Sequence, residues 1–305
     1  MATDVASAPS PALLKVLHGA VDLHCHSGPS PFPRKLNHVE ASYDAARIGM
    51  RALLVKSHHH NTVMDLLAMR DLLTAAPTPV FGGVALNSEV GGINPSAVAV
   101  AIQMGGRAVW GPTVSAAKHI EAHSHDDGFP TAGSNLEEKP ESVFDESGDV
   151  SAETVRVAEL IAEADIMLTG GHLDAESQKA LFETAKQKGV RRMLVHHPDF
   201  IVGIPERDLE ELLSYGGFVE HEMSMYHPAV EAPGFPISQL VEWIDRIGPE
   251  RTVLNSDLGQ EVNPLPVDGY LYVIGRLLDH GVREKDIRQM ICRNTAYLLG
   301  LEEAP

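Results

Sequence analysis

Histidine is unusually frequent in this chain, with 16 among 305 residues, and many stand at the ends of short apolar runs. The first such run ends in Asp22-Leu23-His24-Cys25-His26. Residues two apart on an extended strand share a face. His24 and His26 are therefore expected to point together, with Asp22 one layer below and Cys25 turned the other way. Two imidazoles at that spacing suit one metal ion. A second run ends in Lys56-Ser57-His58-His59-His60. Continued extension puts Lys56, His58 and His60 on one face, with His58 the favoured ligand; a solvated turn is the plain alternative. Lys56 is a candidate catalytic group, as a ligand after carbamylation, a substrate clamp or an ion-pair partner. Further along, Gly170-Gly171 lets the backbone turn tightly and carry His172 over a strand end. His196-His197-Pro198 closes another run, and alternation along a strand lets one of the pair reach a given metal directly. Asn255-Ser256-Asp257 closes the last. Asp257 there is both a candidate ligand and a candidate general base toward a bound water.

Other residues lie around these. Gly28-Pro29-Ser30-Pro31-Phe32-Pro33-Arg34-Lys35 follows the first run and is stiffened by its prolines. Arg34 is a candidate substrate-binding residue for an anionic group, or a solvated side chain on a rigid loop. Glu220 and Glu222 share a face of one strand, so one of them is expected behind the metal ligands. Met223, Met225 and Tyr226 shape either a pocket or the core. The polar segment from about 119 to 149 carries His119, His123 and His125 and reads as a lid over an active face or as a solvent loop.

The elements that must position these groups follow from the apolar pattern. Strands are expected at 20–23, 51–55, 80–86, 107–110, 166–169, 192–195, 217–222 and 252–255, with an amphipathic helix after each. Short continuous apolar runs fit parallel strands covered on both faces. Eight such units predict an α/β chain closed as a (β/α)8 TIM barrel, in one domain over 19–305 after a flexible arm over 1–18. A doubly wound open sheet is the alternative, weakened because no Gly-x-Gly-x-x-Gly follows the first strand. Each candidate ligand then falls at the C-terminal end of a strand, the face where barrels place their active sites.

Composition narrows the partners. Hydrophobic residues make up 44% and charged residues 22%, which suits a globular chain with a large core. A net charge of −18 disfavours nucleic acid and anionic membrane surfaces. No apolar run approaches the roughly 18 to 20 residues that span a bilayer. The N-terminus has no basic cluster of the signal-peptide kind. Two cysteines, Cys25 and Cys292, make no disulfide framework and fit a reducing cytoplasm. A small-molecule substrate is expected, and self-association is left open.

From Val21 to Leu258 the pattern resembles the amidohydrolase-like metal barrels. That family carries His-x-His on strand one, a His after strand five, a His after strand six and an Asp after strand eight. These map onto His24 and His26, His172, His196 or His197, and Asp257. The family also bridges two metals with a carbamylated Lys or a Glu near the end of strand four, and Gly106-Arg107-Ala108-Val109-Trp110-Gly111-Pro112 offers neither. Lys56 and Glu89 are the substitutes in reach. The additional histidines also resemble the TIM-barrel non-heme diiron monooxygenases, typified by the hydroxylase of the platensimycin and platencin diterpenoid pathway. That resemblance implies two divalent ions with iron preferred over zinc or manganese, dioxygen activation, a bulky apolar substrate linked to CoA, and an external electron donor. It is the favoured expectation, because extra histidines filling one metal's coordination sphere would hinder a bridging hydroxide. The alternative is a metal-dependent hydrolase of an amide, ester or lactone. A metal-binding barrel without catalysis is a third reading.

Overall fold

The apolar runs form parallel strands, and almost every strand residue is buried. They are β1 (Val21–Cys25), β2 (Ala52–Val55), β3 (Val80–Phe81, continued after Gly82 by Gly83–Ala85), β4 (Ala108–Trp110), β5 (Met167–Thr169), β6 (Met193–Val195), β7 (Phe218–Glu222) and β8 (Thr252–Asn255). This computed structural model describes residues 8–123, 139–200, 202–230 and 234–301. All pairings are parallel and sequential, β1 with β2, β2 with the first half of β3, and the second half of β3 with β4 onward to β8. The ring closes where Asp257 N–H donates to the His24 carbonyl at 2.9 Å and His26 N–H donates to the Leu258 carbonyl at 2.8 Å. The fold is thus the expected α/β barrel, with helices packed around the strands.

Local sequence explains the helix starts. Asn37 and Glu40 form a reciprocal capping box at His38–Ala46. Asn94 caps Pro95–Gln103, with Pro95 in the first turn. Ser151 caps Ala152–Ala164, and Asp174 caps Ala175–Lys188, which ends at Gly189 with φ +90°. The core has an inner layer of small and branched strand residues such as Ala52, Leu54, Ala85, Ala108 and Val253, and outer layers between strands and helices.

Two expectations change. The arm expected over 1–18 does not hold for Pro11–Leu17, which form a helix with Val16 and Leu17 buried. Pro11 at the first turn, Ser10 as cap and an apolar face make that segment helical. The helix expected over 62–74 breaks at Met69 into Thr62–Ala68 and Arg70–Thr74. No helix among the described residues is long and apolar enough to cross a membrane.

Candidate metal centre

The C-terminal ends of β1, β2, β5, β6, β7 and β8 converge on one buried cluster. His24 Nε2, His26 Nε2 and Asp257 Oδ1 stand 3.1, 2.9 and 3.3 Å apart. Two atoms each roughly 2.1 Å from one ion stand about 3.0–3.4 Å apart at tetrahedral or octahedral angles. The three atoms therefore match a shared cation better than a packed core. His172, His196 and His197 form a second set, and His24, His196, Glu220 and Glu222 a third, each with ligand atoms within 4.8 Å of one another.

Backbone geometry explains the convergence. His24 and His26 alternate inward on β1, while Cys25 is fully buried against the outer core. Asp22, one layer down, accepts from Ser256 Oγ at 2.5 Å and from the backbone of Ser256 and His24 at 3.0 and 3.1 Å, tying β1 to the end of β8. Burial pushes its carboxyl up to about 6. Asp257 adopts φ +47°, a region that Asp tolerates better than most side chains. Gly171, at φ +61°, passes so close to the Gly111 and Pro112 carbonyls that an added Cβ would lie 2.4 Å from each. His172 N–H then donates to the Pro112 carbonyl at 2.8 Å. At β6 the strand ends at Val195, and both His196 and His197 turn into the same cluster. Strict alternation brings only one of them in, but it ends where the strand ends.

Electrostatics keep the imidazoles in their ligating form. Burial drives His24, His172 and His196 well below the ordinary histidine value, and His26 and His197 to about 4 and about 3. A neutral imidazole is the metal-binding state. Burial raises Asp257, but the His26 hydrogen bond and the charges of His26, His197 and Lys56 outweigh it and hold the carboxyl below the usual range. Lys56 is fully buried, with Nζ 3.1 Å from His24 Nε2 and 3.0 Å from His196 Nε2; burial lowers its affinity for a proton. Glu220 accepts from Asn255 Nδ2 at 2.5 Å, and its other oxygen lies 2.6 Å from His196 Nδ1. His24 Nδ1, His26 Nδ1, His196 Nδ1 and both Glu222 oxygens are buried without a well-formed hydrogen bond. Buried polar atoms seldom go unpaired, so this set fits a cation.

The remaining site residues fall elsewhere. His58 lines the cavity and stacks near His26, with Nδ1 2.8 Å from Thr113 Oγ1, outside all three ligand sets. His60 is turned away from the mouth, with Nε2 2.6 Å from Asp65 Oδ2 and Nδ1 2.9 Å from Ser57 Oγ. Its expected place among the metal ligands is corrected, because β2 ends at Val55 and the chain turns before His60. Arg34 lines the same cavity, of about 370 Å³, and its buried Nε has no partner. Phe32, Val114, Phe200, Met225 and Val230 provide apolar wall. His119, on the helix Ala117–His123, meets His172 Nδ1 at 2.8 Å. Of the segment expected as a lid over 119–149, residues 124–138, His125 among them, lie outside the described residues. A cavity of about 960 Å³ at the opposite end of the barrel, near Arg51, Phe218 and Arg288, contains none of the clustered ligands.

Residues 19–220 match a protein family described as a family of unknown function (DUF6282). The chain belongs to that family. No curated protein matches it. Among solved structures this DUF6282 chain is similar to an amidohydrolase from Pseudomonas aeruginosa, at 13% identity and TM-score 0.65, over 95% of this chain and 98% of that one. It is also similar to a mutant organophosphorus hydrolase from Deinococcus radiodurans, at 14% identity and TM-score 0.56, over 93% and 94%. A dihydroorotase matches at 13% identity and TM-score 0.56, over 93% of this chain and 71% of that one. At such identities the likeness establishes the fold.

These comparisons overturn the expectation of a diiron monooxygenase, since the neighbours are an amidohydrolase, an organophosphorus hydrolase and a dihydroorotase. The iron preference, dioxygen activation, CoA-linked substrate and external electron donor rested on that resemblance and lose their support with it. Of the additional histidines, His60 pairs with Asp65 and His58 lies outside the three ligand sets, while His197 joins His172 and His196.

Proposed function

We propose that the chain is a metal-dependent hydrolase of an amide, ester or lactone that carries an anionic group. The observation behind this reading is the convergence of His24, His26 and Asp257, at 2.9 to 3.3 Å from one another, beside His172, His196 and His197. One divalent ion would be held by the first set and a second by the other, with zinc, manganese and iron all suited to so nitrogen-rich a site. When bound, such an ion supplies a Lewis acid and lowers the pKa of a bound water. Asp257 takes the proton of the attacking water at Oδ2, the oxygen that accepts from Ser224 Oγ at 3.3 Å. Lys56 positions His24 and His196 through its contacts with both. Arg34, which lines the cavity and whose buried Nε has no partner, orients the anionic end of the substrate. Phe32, Phe200 and Met225 exclude water from the apolar part. The reading places the chain in the cytoplasm, where its two unpaired cysteines stay thiols.

The test is a panel of lactones, esters and amides, with and without a carboxylate, offered to protein reconstituted with zinc, manganese or ferrous iron. Chelator-sensitive hydrolysis, lost in Asp257→Asn, is expected. Absence of metal uptake, or hydrolysis indifferent to chelator, would overturn the reading.

A further inference from the structure

The sequence leaves one place in the centre unfilled. Two neighbouring cations need an anionic ligand near both, and β4 ends in Ala108-Val109-Trp110, none of which offers one. A buried carboxylate beside the histidines comes from β7. Glu222 Oε1 lies 2.8 Å from His24 Nδ1, 3.5 Å from His197 Nε2 and 3.6 Å from His196 Nε2. It thus lies near two ring nitrogens of the β6 histidines and on the Nδ1 side of His24, whose Nε2 faces His26 and Asp257. The side chain is 1% exposed, and neither oxygen has an aligned hydrogen bond.

Resting on the two-cluster reading above, we propose that Glu222 is a direct metal ligand from strand seven, to the ion held with His196 and His197. Three lines of observation favour ligation over a merely orienting role. The separations of 3.5 and 3.6 Å to two imidazole nitrogens are close to those of atoms sharing an ion. The 2.8 Å approach to His24 Nδ1 lacks hydrogen-bond alignment. Charge points the same way: Glu220, Glu222 and Asp257 bring three carboxylates into one buried space that has Lys56 as its fully buried cation. Unpaired buried carboxylates are costly, and a divalent ion offsets that cost. Glu220 differs from Glu222 in that Asn255 Nδ2 donates to its Oε1; its Oε2, 2.6 Å from His196 Nδ1, lacks an aligned hydrogen bond as the Glu222 oxygens do.

Glu222→Gln separates these roles. The amide oxygen can still accept from His24 Nδ1, so an orienting function survives, while the charge that binds a cation is lost. Metal-free protein would be reconstituted with Zn(II), dialysed and analysed for bound metal, with Glu220→Gln and His26→Ala alongside. Wild type should hold two equivalents and Glu222→Gln one. Glu220→Gln should recover two at excess zinc, with affinity about 10- to 100-fold weaker. Glu222→Gln retaining two equivalents at wild-type affinity overturns the ligand assignment and leaves the hydrolase reading intact. Wild type taking up no metal overturns both. Circular dichroism of the metal-free variant checks its fold.

Discussion

At the scale of single residues, the site combines groups that each need the others. The neutral imidazoles are kept so by burial, which also pushes Glu220 up to about 7 and favours its neutral form unless a cation stands beside it. Arg34 stands apart from that exchange, at the edge of the cavity with its Nε unpartnered. A charge-assisted hydrogen bond to a charged group contributes about 1.5 to 3 kcal/mol. Arg34→Ala should therefore raise KM for a carboxylate-bearing substrate by roughly 10- to 100-fold, with kcat little changed. A neutral analogue of the same substrate should show no such change. Equal effects on charged and neutral substrates in steady-state assays would remove Arg34 from substrate binding.

At the scale of elements, the ligands are set by how strands end. Most of the candidate ligands lie on or one to three residues beyond a strand, where backbone torsions rather than side-chain pattern aim the ring. Gly171 shows this most sharply. Its positive φ and the close Gly111 and Pro112 carbonyls leave no room for a side chain. Gly171→Ala must move the β5 loop or the Pro112 segment, and His172 with it. A lower melting temperature is expected, by about 1 to 3 kcal/mol of stability, together with weaker metal binding measured by competition with a chelator. Unchanged affinity would mean that His172 is not needed to hold the ion. Gly259 has the same character, since a Cβ there would lie 2.5 Å from the His26 carbonyl.

At the scale of the whole molecule, the buried titratable groups set how the metal-free protein responds to acid. Eight histidines (His24, His26, His58, His59, His119, His172, His196 and His197) are held below the ordinary value of 6.5. Below pH 6.5 the unfolded chain takes up protons at these positions and the folded chain does not, until about pH 4 for His26 and about pH 3 for His119 and His197. More protons on the unfolded state mean that stability falls as pH falls. Each fully buried histidine contributes about 1.4 kcal/mol per pH unit in that window. Asp22 and Glu220, raised to about 6 and about 7, and Glu222, raised well above the ordinary carboxylate value, act in the opposite direction. Eight groups against three leave the histidines dominant. The melting temperature of metal-free protein should drop steadily from pH 7 to pH 5 by scanning calorimetry. A flat or rising profile would contradict the buried neutral cluster.

The sequence by itself determined the barrel, because parallel strands covered on both sides must be written as short apolar runs, and helices between them as amphipathic ones. It also determined the pairing of His24 with His26, since alternation along a strand is a local rule. What only the tertiary structure decided lies where local rules stop. Whether His196, His197 or both turn inward depends on the chain's path after β6, and the fate of His60 depends on a turn that gives it to Asp65. Glu222 was legible only as a residue sharing a face with Glu220. Its place beside His24, His196 and His197 follows from the ring, which pairs β7 with β6 and β8 and opens its end on the same mouth as β1, a closeness in space that no periodicity records.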